Sequence, residues 1–415
     1  MNEARNVLIG YEFNKDHSQI CYWDRKAGEP ISIPTKVGTN LFTFPTALCK
    51  MEGKEEWHFG LEAEYFGNQP GGISVENLYE VCRGTEGVTV DGMVKTPDEL
   101  LSVFIWESLA MLGLRDILKS ISGIMVTTDS LSKTFVENFK KAFTRLGFRR
   151  DQFSIQDSDE SFYYYCFLQK PEIWARKIAL FIFSGNDVTF SEMDQDKRTR
   201  PTIVTISHSE KITLPEIENE RDMAFLDYAT KNIRNQLFSG IFITGTGFEK
   251  EWATRTIPYL CRNNRHVFYG GNLYVKGACF AALEKKETHA LKGFLYIGRD
   301  LVKTNLGMEM LIAGNPAYYP LIAAGVNWYE AEKDCEFILD DRKDLTFAVN
   351  SMDGLKKKFY RMDLPGLPER PNRTTRIRLH AECTSPETCT IDAEDLGFGG
   401  MFEASHQKWH EEMEL

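Results

Sequence analysis

A chain of 415 residues can bury more than one hydrophobic core, so two or three domains are expected. A hydrophobic share of 42% and an aromatic share of 12% exclude a largely disordered chain. The formal net charge of -11 argues against nucleic acid and against an anionic membrane as partners, leaving only a local basic patch at Lys356, Lys357 and Lys358 as an exception. Nine cysteines without a Cys-x-x-Cys pair predict reduced, buried thiols, and Cys383 and Cys389 lack the further ligands that zinc needs. No window approaches the run of ~18 apolar residues that spans a bilayer, and the first residues lack the apolar region of a signal peptide. A cytoplasmic protein is expected.

Strand signals crowd the first third: 7–13, 19–23 and 31–33 read as a meander turning at Asn14-Lys15-Asp16-His17. Residues 44–48 and 57–60 add a hairpin. Thr96-Pro97-Asp98-Glu99 opens a helix to about Leu112, with threonine at the N-cap, proline at the first position and glutamate three residues on. Strand and helix then alternate: strand 123–127, helix 130–146, strand 153–157 and helix 161–168. Strand 178–183 follows, folding through Ser184-Gly185-Asn186-Asp187 into strand 188–193, and then helix 221–236. Tyr163, Tyr164 and Tyr165 on the helical segment read as core and interface.

Strand 241–244 runs into Gly245-Thr246-Gly247 and a predicted helix over 248–260. Two glycines one residue apart let backbone amides approach a ligand that a Cβ would exclude, and a helix N-terminus behind them favours an anion. That is the architecture of a nucleotide site. Gly270-Gly271 precede a helix over 272–283 with small residues along it. The two meanders, each with a crossover helix, predict a duplicated α/β plan. From 294 to 402 short alternating segments divided by Gly, Pro and Asn turns predict a β-sandwich, with the boundary between 284 and 297. Residues 403–415 read as a polar tail of a helical turn or two, or as frayed chain. His406 and His410 would then share a helical face as a solvated pair.

In their order, these segments resemble the Hsp70 branch of the actin-like ATPase superfamily over nearly the whole chain. Ile9-Gly10-Tyr11-Glu12-Phe13-Asn14 is similar to that family's first phosphate motif and Ile182-Phe183-Ser184-Gly185-Asn186-Asp187 to its second. Segments 123–127 and 155–158 resemble the first connecting segment, Thr244-Gly245-Thr246-Gly247 the adenosine motif, and 270–283 its closing helix. Phe294-Leu295-Tyr296-Ile297 resembles the interdomain linker. Asn305-Leu306-Gly307-Met308-Glu309, 364–368, 377–380 and 390–395 resemble strands of the peptide-binding β-domain.

The resemblance implies an α/β fold: an actin-like, ribonuclease H-like duplicated ATPase-type domain over 1–288. An Hsp70-type β-sandwich over 293–402 and a short tail over 403–415 would follow, with the family's long helical lid missing. It implies nucleotide contacts at Asn14, Lys15, Ser184, Gly185, Asn186, Gly245, Thr246 and Gly247, for weakly bound ATP or ADP with magnesium. The departures fall on the chemistry. Glu12 stands for an aspartate, Ile182 for a metal-directed aspartate, Asn14 and Asn186 for glycines, and Lys15 and Asp16 for hydroxyl residues. Asp157 stands for the connecting-segment glutamate, and Glu80 or Arg83 occupies the region of a catalytic lysine. The stretch between the second phosphate loop and the adenosine motif is too short for the subdomain that closes over adenine. A pseudo-ATPase without catalytic or metal residues is expected, either a weak nucleotide binder or a scaffold for a protein or peptide partner. The rival reading is an active, atypical ATP-dependent peptide-binding chaperone that uses Glu12 and Asp157 at its metal site. A sugar or acetate kinase of the same fold would lack the sandwich.

Overall fold

The computed structural model describes residues 6–36, 38–352 and 354–415. The chain divides into two compact units, Met1–Tyr296 and Ile297–Leu415. Unit 1 is mixed α/β and unit 2 is built from strands. Among the described residues no helix is long and apolar enough to cross a membrane.

Unit 1 holds two large sheets. The first contains β1 (Val7–Phe13), β2 (His17–Asp24), β3 (Glu29–Ser32), β4 (Ile121–Thr128) and β5 (Phe153–Asp157) in the order β5-β4-β1-β2-β3. The second contains β6 (Lys177–Ser184), β7 (Asp187–Asp196), β8 (Thr202–His208), β9 (Phe238–Thr246), β10 (His266–Tyr269) and β11 (Phe294–Tyr296) in the order β10-β9-β6-β7-β8-β11. Within each sheet the opening strand is central, antiparallel to the second strand and parallel to the fourth, which is parallel to the fifth. The central strands read as near-continuous apolar runs because both of their faces are covered.

The segment read as an interdomain linker is β11 itself, paired parallel with β8, so unit 1 continues through Tyr296. Helix α1 (Pro97–Ala110) starts where the sequence places it, and the Thr96 amide donates to Glu99 Oε2 at 3.1 Å. Helix α2 (Lys133–Leu146) and helix α3 (Ser158–Phe167) are followed by α4 (Glu218–Ile233), α5 (Thr256–Leu260) and α6 (Leu273–Leu283).

Two helices cross between the sheets. Helix α3 follows the first sheet in the chain, yet its Phe162, Tyr163, Cys166 and Phe167 join Ile178, Leu180 and Phe242 of the second. Helix α6 follows the second sheet and packs Ala278, Ala281 and Ala282 against Leu8 and Met125 of the first. Small residues permit this approach. A Cβ on Gly277 would lie 2.0 Å from Ser161 O, and one on Gly10 would lie 2.1 Å from Val275 O.

Unit 2 consists of two four-stranded antiparallel sheets. One contains β12 (Thr304–Ile312), β13 (Asn315–Ile322), β15 (Asp344–Ser351) and β16 (Lys357–Asp363) in the order β13-β12-β15-β16. The other contains β14 (Glu332–Ile338), β17 (Arg376–Ser385), β18 (Thr388–Asp395) and β19 (Lys408–Glu414) in the order β14-β17-β18-β19. The expected helical or frayed tail is therefore incorrect, because β19 pairs with β18 and buries Trp409 and Met413. Apolar residues four apart satisfy both the helical and the strand period, and the neighbouring strand decides between them. His406 and His410 share no helical face; they pair with Glu394 and Asp392 at 3.0 and 2.8 Å. Cys383 and Cys389 are buried free thiols facing each other across β17 and β18.

Candidate functional site

The first candidate loop is the turn between β1 and β2. Glu12 ends up 2% exposed at the inner end of this turn. Its Oε1 accepts from Asn14 Nδ2 at 2.9 Å and lies 3.7 Å from His17 Nε2, while its Oε2 is buried without a partner among the described residues. Burial raises the Glu12 pKa, and the His17 bond opposes that rise. His17 is correspondingly raised by its bond to Glu12, against its own burial. Asn14 is buried rather than open to a phosphate: its Oδ1 accepts from the Asp129 amide at 3.2 Å and its carbonyl accepts from Thr46 Oγ1 at 2.7 Å. Lys15 points outward, 3.8 Å from Glu80. Arg83 donates to Ser130 O at 2.8 Å and lies over the Phe135 ring, so it too is held within the protein.

Strand register sets a buried polar row across the first sheet. Gln19 faces Glu12, Glu12 faces Thr127, and Thr127 faces Gln156, all on one side of the sheet. Gln19 donates to Gly271 O at 2.9 Å, and Gln156 donates to Ser161 Oγ at 2.7 Å. Their side-chain oxygens, Gln19 Oε1 and Gln156 Oε1, are buried without partners among the described residues, like Glu12 Oε2. These are three acceptors in one row. Gln19 and Gln156 were not singled out from sequence, although their place opposite Glu12 and Thr127 follows from strand alternation once the pairing is known.

Asp157 lies at the end of β5, two strands from Glu12, a lateral separation of roughly 10 Å. Its Oδ1 accepts the Glu160 amide at 2.7 Å, making it the N-cap of α3. Tyr274, on α6, is raised by burial first and then by the charges of Asp159, Asp129, Glu12 and Asp157. Among the described residues no group of three His, Cys, Asp or Glu side chains is placed to hold a metal ion by protein ligands alone; magnesium held by one or two carboxylates together with nucleotide phosphates needs no such group.

The second candidate loop is a two-residue hairpin, Gly185-Asn186, between Ser184 and Asp187. Arg221 donates to the Asn186 side chain and lies over the Trp252 ring, with 5.1 Å from Cζ to the ring centre. Asp187 accepts from Lys211 at 2.7 Å and from Thr213 at 2.6 Å. Ile182, at the position of a metal-directed aspartate, packs against the α3 cluster. Arg221 was missed from sequence because 35 residues separate it from Asn186.

Gly245-Thr246-Gly247 closes onto this hairpin. The Gly185 amide donates to Thr246 O at 3.0 Å. Gly245 and Gly247 have φ of 95° and 93°, and a Cβ on them would lie 1.9 Å from Phe183 O and 2.2 Å from Gly185 O. The pair of glycines is thus required by the approach of two backbone segments, whatever else it serves. Gly245→Ala should lower stability by about 2 kcal/mol or more in thermal unfolding. A variant as stable as the parent would contradict this close approach.

The helix expected over 248–260 is corrected to Thr256–Leu260. Phe248 and Trp252 join Phe183 and Phe225 in an aromatic cluster, and buried Asp222 accepts the Arg255 and Thr256 amides at 2.7 and 3.1 Å. No helix N-terminus follows the glycines, so the anion site inferred there loses its dipole.

An α/β unit with two sheets of matching strand order, followed by an all-β unit, defines the class of protein. The chain belongs to the family of unknown function DUF5716, whose C-terminal part matches residues 29–299. Residues 301–415 match a domain of unknown function, DUF8552. No curated protein matches the chain.

Proposed function

We propose that the protein is a degenerate Hsp70-like member of the actin-like ATPase superfamily, working as a protein- or peptide-binding scaffold with weak nucleotide binding. One observation carries the reading: the side chains at the phosphate and metal positions are engaged in the protein's own contacts. Glu12 is held by Asn14 and His17, Asp157 caps α3, Asn186 is bonded by Arg221, and Ile182, half-buried, packs against the core. The repeated strand order of the two sheets supports an actin-like duplication. The two antiparallel sheets of unit 2 suit an Hsp70-type sandwich, and exposed Leu311, Ile312 and Ile338 at strand ends offer it apolar contacts for a peptide.

Because each ~1.4 kcal/mol of lost transition-state stabilisation is tenfold in rate, losing a metal-directed carboxylate at Ile182 removes efficient hydrolysis. Isothermal titration with ATP and ADP, with and without magnesium, should give affinities weaker than micromolar and no turnover. Micromolar Mg-ATP binding with phosphate release would overturn the reading. The partnerless Glu12 Oε2 favours the second reading, an active atypical chaperone using Glu12 and Asp157. In that case Glu12→Gln would abolish a measurable turnover.

A further inference from the structure

The hairpin joining β15 to β16 concentrates cations in an otherwise acidic chain. Lys356, Lys357 and Lys358 are exposed, and the Lys303 carbonyl accepts from the Met352 amide at 2.8 Å, which brings a fourth exposed lysine to the turn. Among the described residues none of the four has a carboxylate partner. Arg361, further along β16, pairs with Asp363 at 3.0 Å and Asp344 at 3.6 Å, so its charge is met within the protein. The one acidic residue of the turn sequence, Asp353, lies outside the described residues.

Apolar side chains stand among these cations. Leu355 is 84% exposed at the turn, Phe359 is 61% exposed on β16, and Met352 is also exposed. Lys357 Nζ lies 4.8 Å from the Phe359 ring centre. The turn that presents them is held by bonds from the Ser351 amide to Lys356 O and from the Lys356 amide to Ser351 Oγ, both 2.9 Å. Strand β16 is the last of its sheet. Register places Lys357 and Phe359 beside Asn350 and Ala348 on one face, and Lys358 beside Val349 on the other.

We propose that this hairpin is a contact for an anionic membrane surface, with Leu355, Met352 and Phe359 entering the headgroup boundary and the four lysines meeting lipid phosphate and carboxylate groups. Cations on both faces of the strand, with an apolar residue at the tip, suit insertion tip-first among anionic groups on every side. A single acidic protein face would meet only part of them. The overall charge of -11 hides this local excess, since a surface senses charges within about 8 Å of it at physiological salt. Binding of this kind is weak and reversible.

Co-sedimentation of the full chain with vesicles tests it. The protein should pellet with phosphatidylcholine vesicles carrying roughly 30% phosphatidylserine, stay in solution with pure phosphatidylcholine, and be released at about 0.5 M salt. The combined Lys356→Glu, Lys357→Glu and Lys358→Glu variant should bind at least about tenfold more weakly, with an unchanged melting temperature showing that it folds. Leu355→Ser should also weaken binding. Equal pelleting with both vesicles, no pelleting with either, or full binding by the triple variant would overturn the proposal. So would lysine-dependent binding to polyglutamate without vesicle binding, which would assign the hairpin to an acidic protein.

Discussion

Gly10→Ala is expected to destabilise unit 1 by about 3 kcal/mol or more, read as a shifted denaturant midpoint, because the new Cβ meets backbone. The nearest atoms are Val275 O at 2.1 Å and Cys279 N at 2.6 Å, both on α6, with Cys21 Sγ at 2.9 Å. A clash with a flexible side chain relaxes by rotation, whereas these backbone atoms move only if the helix lifts. Lifting α6 opens the contacts of Ala278, Ala281 and Ala282 with Leu8 and Met125. It also disturbs Gln19, whose amide donates to Gly271 O just before the helix. Gly293 has open space around its Cβ position, so Gly293→Ala is the matched control and should change little. Equal effects at the two sites would refute the tight seating of α6 on β1.

Arg370→Ala should cost about 3–5 kcal/mol in unit 2, since it leaves a buried carboxylate without its counter-charge. Asp395 is fully buried and Arg370 nearly so, joined by two bonds of 2.7 Å. Burial pushes Asp395 up, but the Arg370 guanidinium outweighs it with help from the Ser405 hydroxyl and amide and the Gly397 amide. The net effect holds the carboxyl well below the usual carboxylate range. A depressed folded-state pKa contributes stability that is present above the unfolded value, near 3.9, and is lost as pH falls through the folded value. The parent should therefore keep this contribution at pH 5–8 and lose it only under strong acid. In the variant Asp395 protonates at higher pH, so its acid unfolding should begin earlier. Coincident acid transitions for the two proteins would show that the pair contributes nothing.

These two sites differ in how they relate to function. The seat of α6 on β1 positions Glu12, Gln19 and Tyr274 relative to one another, so damage there should change any ligand binding in unit 1. The Arg370–Asp395 pair holds the chain ahead of β17 to the end of β18 and the approach to β19. It bears on the stability of the sheet that contains the C-terminal strand.

The site was less legible than the elements around it. Glu12, Asn14, Asn186 and the two glycines could be singled out because each sits where a strand turns. Their roles could not, because the groups that decide them come from elsewhere in the chain: Thr46 and Asp129 for Asn14, Arg221 for Asn186, and Phe183 and Gly185 for the glycines. A strand-to-glycine turn looks the same whether its amides face a phosphate or a neighbouring backbone.

What the sequence determined by itself is local in origin. The apolar runs at Val7–Phe13 and Lys177–Ser184, the Thr96 capping box, the two-residue turn at Gly185-Asn186 and the small-residue helix before Leu283 each depend on residues within a few positions of one another. What only the tertiary structure decided depends on partners distant along the chain. The aromatic cluster and Asp222 shorten the helix after Gly247, and β18 makes a strand of the final segment. Strand register turns Gln19, Glu12, Thr127 and Gln156 into one buried row. Backbone propensities act over a turn or two, whereas burial and hydrogen-bond satisfaction are settled among all the groups that packing brings together.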